Sequence, residues 1–146
     1  MKKLTSNQLG EIAQRAFEER LIQLFGKSHY LDRQLDTKDV RQKKFGESYA
    51  SLPKRSSDYV VTYPDGVTCY AEVKAIGVTT KAFTLKRLES RQLGVCLRMA
   101  ELGGRYDVVL YRVESKEFYR ITEKMIATAY NSGKSSIEIT EQLKFL

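Results

Sequence analysis

The chain has 146 residues, a single-domain length, and its 42% apolar composition suits one globular core, so residues 1–146 are expected to form one domain. Twenty-five Lys and Arg against 18 Asp and Glu leave +7 and a pI near 9.4, which favours an anionic partner, nucleic acid first. A membrane span needs an apolar run of ~18 residues that the chain lacks, and Leu4 to Gly10 is too polar for a signal-peptide core, so a cytoplasmic protein without membrane contact is expected. Cys69 and Cys96 stand far apart with no CxxC, and His29 is the single histidine, which argues against a zinc cluster, a disulfide scaffold or histidine-activated nucleophilic catalysis; all three are expected to be structural.

Thr5-Ser6-Asn7-Gln8 predicts a helix start, with Thr5 as N-cap and Gln8 placed for a capping box. The helix should run to Phe25 and stop at Gly26. Leu9, Ile12, Ala13, Ala16, Phe17, Leu21 and Leu24 recur at helical spacing as its buried stripe, while Glu11 and Glu18, seven apart, share another side. From Lys27 to Arg55 the periodicity dissolves into charge, including Lys38, Arg41, Lys43, Lys44, Lys54 and Arg55. A long basic loop or arm is predicted there, suited either to clamping a phosphate backbone or to serving as a solvated linker.

Tyr59 to Tyr63 is rich in β-branched and aromatic residues and predicts a strand with Asp58 at its mouth. Tyr63-Pro64-Asp65-Gly66 is a turn signal. The returning strand, Val67 to Lys74, places Val67, Cys69, Ala71 and Val73 on one face by its period of two, and Glu72 and Lys74 together on the other. Thr84 is a plausible N-cap for a second helix, in which Leu85, Leu88, Cys96 and Met99 form the apolar stripe and Gln92 falls in its middle. A buried amide needs a partner, either backbone or the acid-bearing strand. Gly103-Gly104 ends this helix. Strands follow over Tyr106–Val113 and Phe118–Ile121, then a helix from Thr122 to about Asn131 closed by Gly133, and a short edge strand at Ile137–Thr140. The order α, β, β, α, β, β, α predicts an α/β fold with a mixed central sheet flanked by helices.

Two carboxylates, Asp58 and Glu72, and an ammonium, Lys74, framing one hairpin have the composition of a divalent-cation site. Mg²⁺ takes oxygen ligands and keeps waters, so two carboxylates, the Val73 carbonyl and substrate phosphate oxygens would suit it, with Mn²⁺ as a substitute. A surface ion pair between Glu72 and Lys74 is the plainer alternative, and it leaves Gln92 unexplained.

On Ser56-Ser57-Asp58-Tyr59, Tyr70-Ala71-Glu72-Val73-Lys74-Ala75 and Phe83 to Gln92, the chain resembles the PD-(D/E)XK nuclease superfamily, and within it the RecU-like and Hjc-like Holliday junction resolvases. The resemblance covers Ser56 to Ile121, with Lys134-Ser135-Ser136-Ile137 echoing a carboxy-terminal segment and Gly10-Glu11-x-Ala13 the first helix. It implies a restriction-endonuclease-like core, Mg²⁺ held by Asp58, Glu72 and Val73, Lys74 as catalytic lysine, Gln92 positioning the site and Ser56 contacting metal water or phosphate. Glu11 would complete the metal shell, with Glu18 as its substitute, and Ser57 stands where the motif usually has proline. The implied activity is structure-selective cleavage of DNA four-way junctions by a homodimer. A duplex-cutting or nicking nuclease of restriction or repair type, and a non-catalytic nucleic-acid-binding module, are the alternatives.

Overall fold

The computed structural model describes residues 2–34 and 55–146. The basic segment's Lys38, Arg41, Lys43, Lys44 and Lys54 lie outside them. Helix α1 spans Ser6–Phe25 and begins as its sequence requires: the Gln8 N–H donates to Thr5 Oγ1 at 3.2 Å and the Thr5 N–H to Gln8 Oε1 at 2.8 Å. Its buried stripe is narrower than predicted. Ala13, Phe17 and Leu21 are fully buried, but Ile12 and Leu24 face solvent, because a helix lying on one sheet contacts it along a single line.

After α1 the chain forms β1 (Tyr30–Arg33), inside the segment predicted as loop. Four residues with Asp32 and Arg33 among them carry no alternation, and β1 exists because it pairs antiparallel with β2 (Tyr59–Thr62). The hairpin from β2 to β3 (Thr68–Ile76) is the predicted one, with Tyr59 opposite Ala71 and Thr62 opposite Thr68. The Gly66 N–H donates to the Tyr63 carbonyl at 2.9 Å, and Gly66 takes a φ of 84°, which favours glycine. β4 (Ala82–Thr84) follows.

The second helix does not begin at Thr84. Leu85–Arg87 makes one 3₁₀ turn, and α2 runs Ser90–Leu102 with Glu89 as its N-cap, so Leu85 and Leu88 are buried from the approach to the helix rather than from its stripe. Gly103 closes α2 at a φ of 75°. β5 (Tyr106–Arg112), β6 (Glu117–Thr122) and α3 (Glu123–Asn131) match expectation. β7 (Ser136–Glu138) pairs with β4 in a separate two-stranded sheet, and β8 (Lys144–Phe145) ends the chain's pairing against β6.

The main sheet has the order β1-β2-β3-β5-β6-β8. β3 and β5 are parallel and the other neighbours antiparallel, which makes it mixed. Two cores lie on its two faces. Phe17 and Leu21 of α1 pack with Tyr59, Val61, Ala71, Val73, Val109 and Phe118 on one. Cys96 of α2 and Ile126 of α3 pack with Val108, Leu110 and Ile121 on the other. β5 is covered on both faces and is accordingly the most continuously buried strand, whereas β3 alternates only at its start and is buried on both faces over Ala71, Glu72 and Val73. Burying a side chain the size of Phe17 or Leu110 contributes roughly 2–3 kcal/mol. Cys69 and Cys96 are buried free thiols, as expected, and burial pushes both up to about 12. Among the described residues no helix is long and apolar enough to cross a membrane.

Candidate functional site

The antiparallel register that sets Tyr59 against Ala71 brings the residue before β2 to the side of the residue after Ala71. Asp58 and Glu72 are thereby neighbours, each only 2% exposed. Asp58 Oδ2 accepts the Val73 N–H at 2.8 Å, and its Oδ1 accepts from Arg55 Nη2 at 2.9 Å and Gln14 Nε2 at 3.2 Å. Glu72 and Lys74 leave β3 on the same face, as the period of two predicted, with Lys74 Nζ 3.1 Å from Glu72 Oε1. Glu72 Oε2 is buried and has no hydrogen-bond partner among the described residues.

The electrostatics follow from this packing. Burial raises the Glu72 carboxyl most, the Asp58 charge raises it further, and Lys74 and Arg55 pull it back, leaving it at about 7. Asp58 is also raised, chiefly by burial, against the lowering effects of the Val73 N–H, Arg55 and Lys74. Two desolvated carboxyls at one point favour sharing a proton over two negative charges unless a cation joins them.

These groups open onto a cavity of about 520 Å³ whose walls include Glu11 and Gln14 of α1, Asp58, Glu72, Val73, Lys74, and the guanidinium-bearing Arg33, Arg55 and Arg87. Its donor set fits a hard divalent cation: two carboxylates, one of them with an orphaned buried oxygen, and Val73 on the same wall. Among the described residues no group of three or more His, Cys, Asp or Glu comes close enough together to hold a metal, so Glu11, although on the wall, does not join Asp58 and Glu72 in one cluster.

The remaining sequence candidates divide. Glu11 lines the cavity wall, but the α1 side chain that bonds Asp58 is Gln14, which the apolar stripe gave no reason to notice. Glu18, the proposed substitute, has its Oε1 2.5 Å from the Tyr59 hydroxyl, which donates to it, and it is not on the cavity wall. Gln92 is buried as its place in the stripe required; its Oε1 accepts the Glu89 N–H at 3.0 Å, closing the α2 cap, and it does not line the cavity. The backbone half of the reading therefore describes Gln92, since a side chain in the first helical turn finds the free N–H groups there before it finds a neighbouring strand. Ser56 is off the cavity wall as well, with its carbonyl accepting from the Tyr106 hydroxyl at 2.6 Å. Ser57 is fully buried, and its hydroxyl donates to the Tyr59 carbonyl at 2.7 Å, holding the backbone bend that precedes β2. Arg33, from a strand that the sequence did not signal, and Arg87, which donates to the Ala75 carbonyl at 3.0 Å, complete the basic rim.

A mixed sheet with α1 on one face and α2 and α3 on the other is a restriction-endonuclease-like α/β fold. Among solved structures that match, a bacterial homing endonuclease, I-Ssp6803I, aligns with a TM-score of 0.53 over 95% of this chain and 78% of its own, at 18% identity. At that identity the likeness is one of fold. No protein-family model matches the chain, and no curated protein matches it by sequence.

Proposed function

We propose that this protein is a Mg²⁺-dependent DNA endonuclease that resolves four-way junctions by paired phosphodiester hydrolysis, acting as a homodimer. The observation that carries the reading is the convergence of Asp58, Glu72 and Lys74 on one cavity with a basic rim. Asp58, Glu72 and the Val73 carbonyl would hold the cation, which on binding supplies Lewis-acid polarisation of the phosphoryl group and a lowered pKa for water at the site. The acid pair's part is to bind as dianion, in competition with the proton that burial favours on Glu72. Lys74 orients the attacking water and offsets the negative charge that grows on the phosphoryl oxygens. The water oxygen bonds to phosphorus as the bond to the 3′ oxygen breaks; the water gives up a proton to solvent and the departing 3′ oxygen takes one from solvent, leaving a 5′-phosphate and a 3′-hydroxyl. Arg33, Arg55 and Arg87 receive the phosphate backbone, in keeping with a chain of net charge +7.

Selectivity for junctions is supported by the resemblance over Ser56–Tyr59, Tyr70–Ala75 and Phe83–Gln92, and a two-fold dimer would supply the two sites that symmetric nicks require. The solved neighbour's name, a homing endonuclease, favours a second reading, a duplex-cutting or nicking enzyme on the same scaffold. Cleavage of a synthetic four-way junction is to be compared with a linear duplex of the same sequence in Mg²⁺. Preference for the junction supports resolution; equal rates leave a general nuclease. A non-catalytic binding module predicts instead that Glu72→Ala changes neither DNA binding nor turnover.

A further inference from the structure

Glu11, Gln14 and Glu18 stand three and four residues apart and so share one flank of α1. Their situations differ. Glu18 accepts from the Tyr59 hydroxyl, and exposed Glu11 stands on the cavity wall. Gln14, half-buried, is the residue of the three whose side chain hydrogen-bonds Asp58.

That bond has a directional consequence. Each carboxylate oxygen offers two acceptor sites. Asp58 Oδ1 takes Gln14 Nε2 at 3.2 Å and Arg55 Nη2 at 2.9 Å, and so is filled; Oδ2 takes the Val73 N–H at 2.8 Å, and the acceptor site that remains is the one Asp58 shares with the Glu72 carboxyl. Together with the unpartnered Oε2 of Glu72, that site is what the pair can offer to a cation. An amide suits the Gln14 position because it donates to a carboxylate without adding charge. A carboxylate there would need to turn away from Asp58 or share a cation with it.

We propose that Gln14 is the positioning residue that α1 contributes to the metal centre: it holds Asp58 by the oxygen turned from the cation and, being neutral, keeps the centre at two carboxylates. The proposal rests on the metal-dependent reading above and differs from the acid that the family resemblance implied for this helix. Metal ligands are commonly oriented by such partners, and losing one weakens metal affinity by about tenfold or more.

The test is calorimetric titration of Mn²⁺ into the full chain without DNA, for the unmodified protein, Gln14→Leu, Gln14→Glu and Glu72→Gln. Binding by the unmodified protein and its loss in Glu72→Gln establish the site. Gln14→Leu, similar in size but without a donor, is then expected to weaken Mn²⁺ about tenfold, and Gln14→Glu to tighten it by about the same factor, since a third carboxylate gains a role once a cation is present. Thermal melts in EDTA confirm folding, and Gln14→Met, of similar length and without a donor, carries the test with the same expected weakening should Gln14→Leu not fold. Mn²⁺ affinities within about twofold of the unmodified protein in the folded Gln14 variants, with Glu72→Gln still defective, would overturn the proposal and make Gln14 a structural bridge. Failure of the unmodified protein to bind Mn²⁺ would instead remove the metal-dependent reading itself, and this proposal with it.

Discussion

The backbone N–H of Val73 donates to Asp58 Oδ2 at 2.8 Å, fastening the acid at the mouth of β2 to the strand that carries Glu72 and Lys74. A backbone donor cannot be lost by side-chain substitution, so an Asn at this position can keep the Val73 bond through its one amide oxygen, at the cost of turning its NH2 toward the Arg55 and Gln14 donors. Asp58→Asn is therefore expected to fold while losing the negative charge that a cation needs. Cutting should fall by at least about a hundredfold, the scale at which one preorganised electrostatic group acts, with DNA binding retained. Gel-shift and cleavage assays on the same preparation check both halves.

Glu72 should cost the cation-free protein stability. Its carboxyl titrates ordinarily at 4.5 and in the fold at about 7, so between those values the native state holds a proton that the unfolded chain has released. Stability then falls as pH rises through that window and levels above it. Glu72→Gln removes this carboxyl's share of the slope, leaving that of the likewise raised Asp58 and Asp107, and is expected to stabilise the protein at pH 8 in EDTA by about 2 kcal/mol while abolishing cutting, a site maintained at the expense of the fold. Mg²⁺ should reverse the trend, stabilising the unmodified protein more at high pH than at low, because the cation competes with the proton. Thermal unfolding across about pH 5 to 8.5, with EDTA and with Mg²⁺, reads both signs.

Lys74 lies 3.1 Å from Glu72 and lowers that carboxyl's proton affinity, so Lys74→Ala acts twice. Loss of the ammonium should reduce the maximal rate by about 10²–10³-fold, and the pH at which cutting becomes half-maximal should move upward. Lys74→Arg keeps the charge and should restore part of the rate and most of the pH profile. A pH–rate curve for Lys74→Ala that overlays the unmodified one would contradict the coupling.

Tyr59 and Glu18 hold α1 to β2 without belonging to the cavity wall. Tyr59→Phe removes a hydroxyl that donates to a carboxylate and is expected to cost about 1.5–3 kcal/mol in thermal or urea unfolding. Glu18→Gln keeps an acceptor, so its cost should be under about 1 kcal/mol and its Mn²⁺ affinity should be unchanged. A large loss of Mn²⁺ affinity in Glu18→Gln would return this acid to the metal shell.

Much of the fold could be read locally. The capping box at Thr5 and Gln8, the Pro64-Asp65-Gly66 turn and the common face of Glu72 and Lys74 all depend on residues within a few positions of one another, and all three appear in the structure. β1 could not be read in this way. Nothing in Tyr30–Arg33 alternates, and the strand is defined by its partner β2, more than twenty residues away in sequence. The start of α2 departs from the local signal for a related reason: Thr84 has the chemistry of a cap, but pairing of Ala82–Thr84 with β7 holds it in a strand, and Glu89 caps the helix instead.

The candidate site divides along the same line. Sequence alone determined that Glu72 and Lys74 share a face and that Asp58 opens the preceding strand, because side-chain direction in a hairpin follows from period and turn. Only the tertiary structure decided which part of α1 meets that hairpin, and it selected Gln14 as the hydrogen-bond partner of Asp58 while engaging Glu18 with Tyr59 and Gln92 with its own helix terminus. The physical reason is that a helix's rotation about its axis is set by which large side chains it buries. Here Ala13, Phe17 and Leu21 seat against the sheet, and the residues flanking that line are carried to wherever the packing turns them.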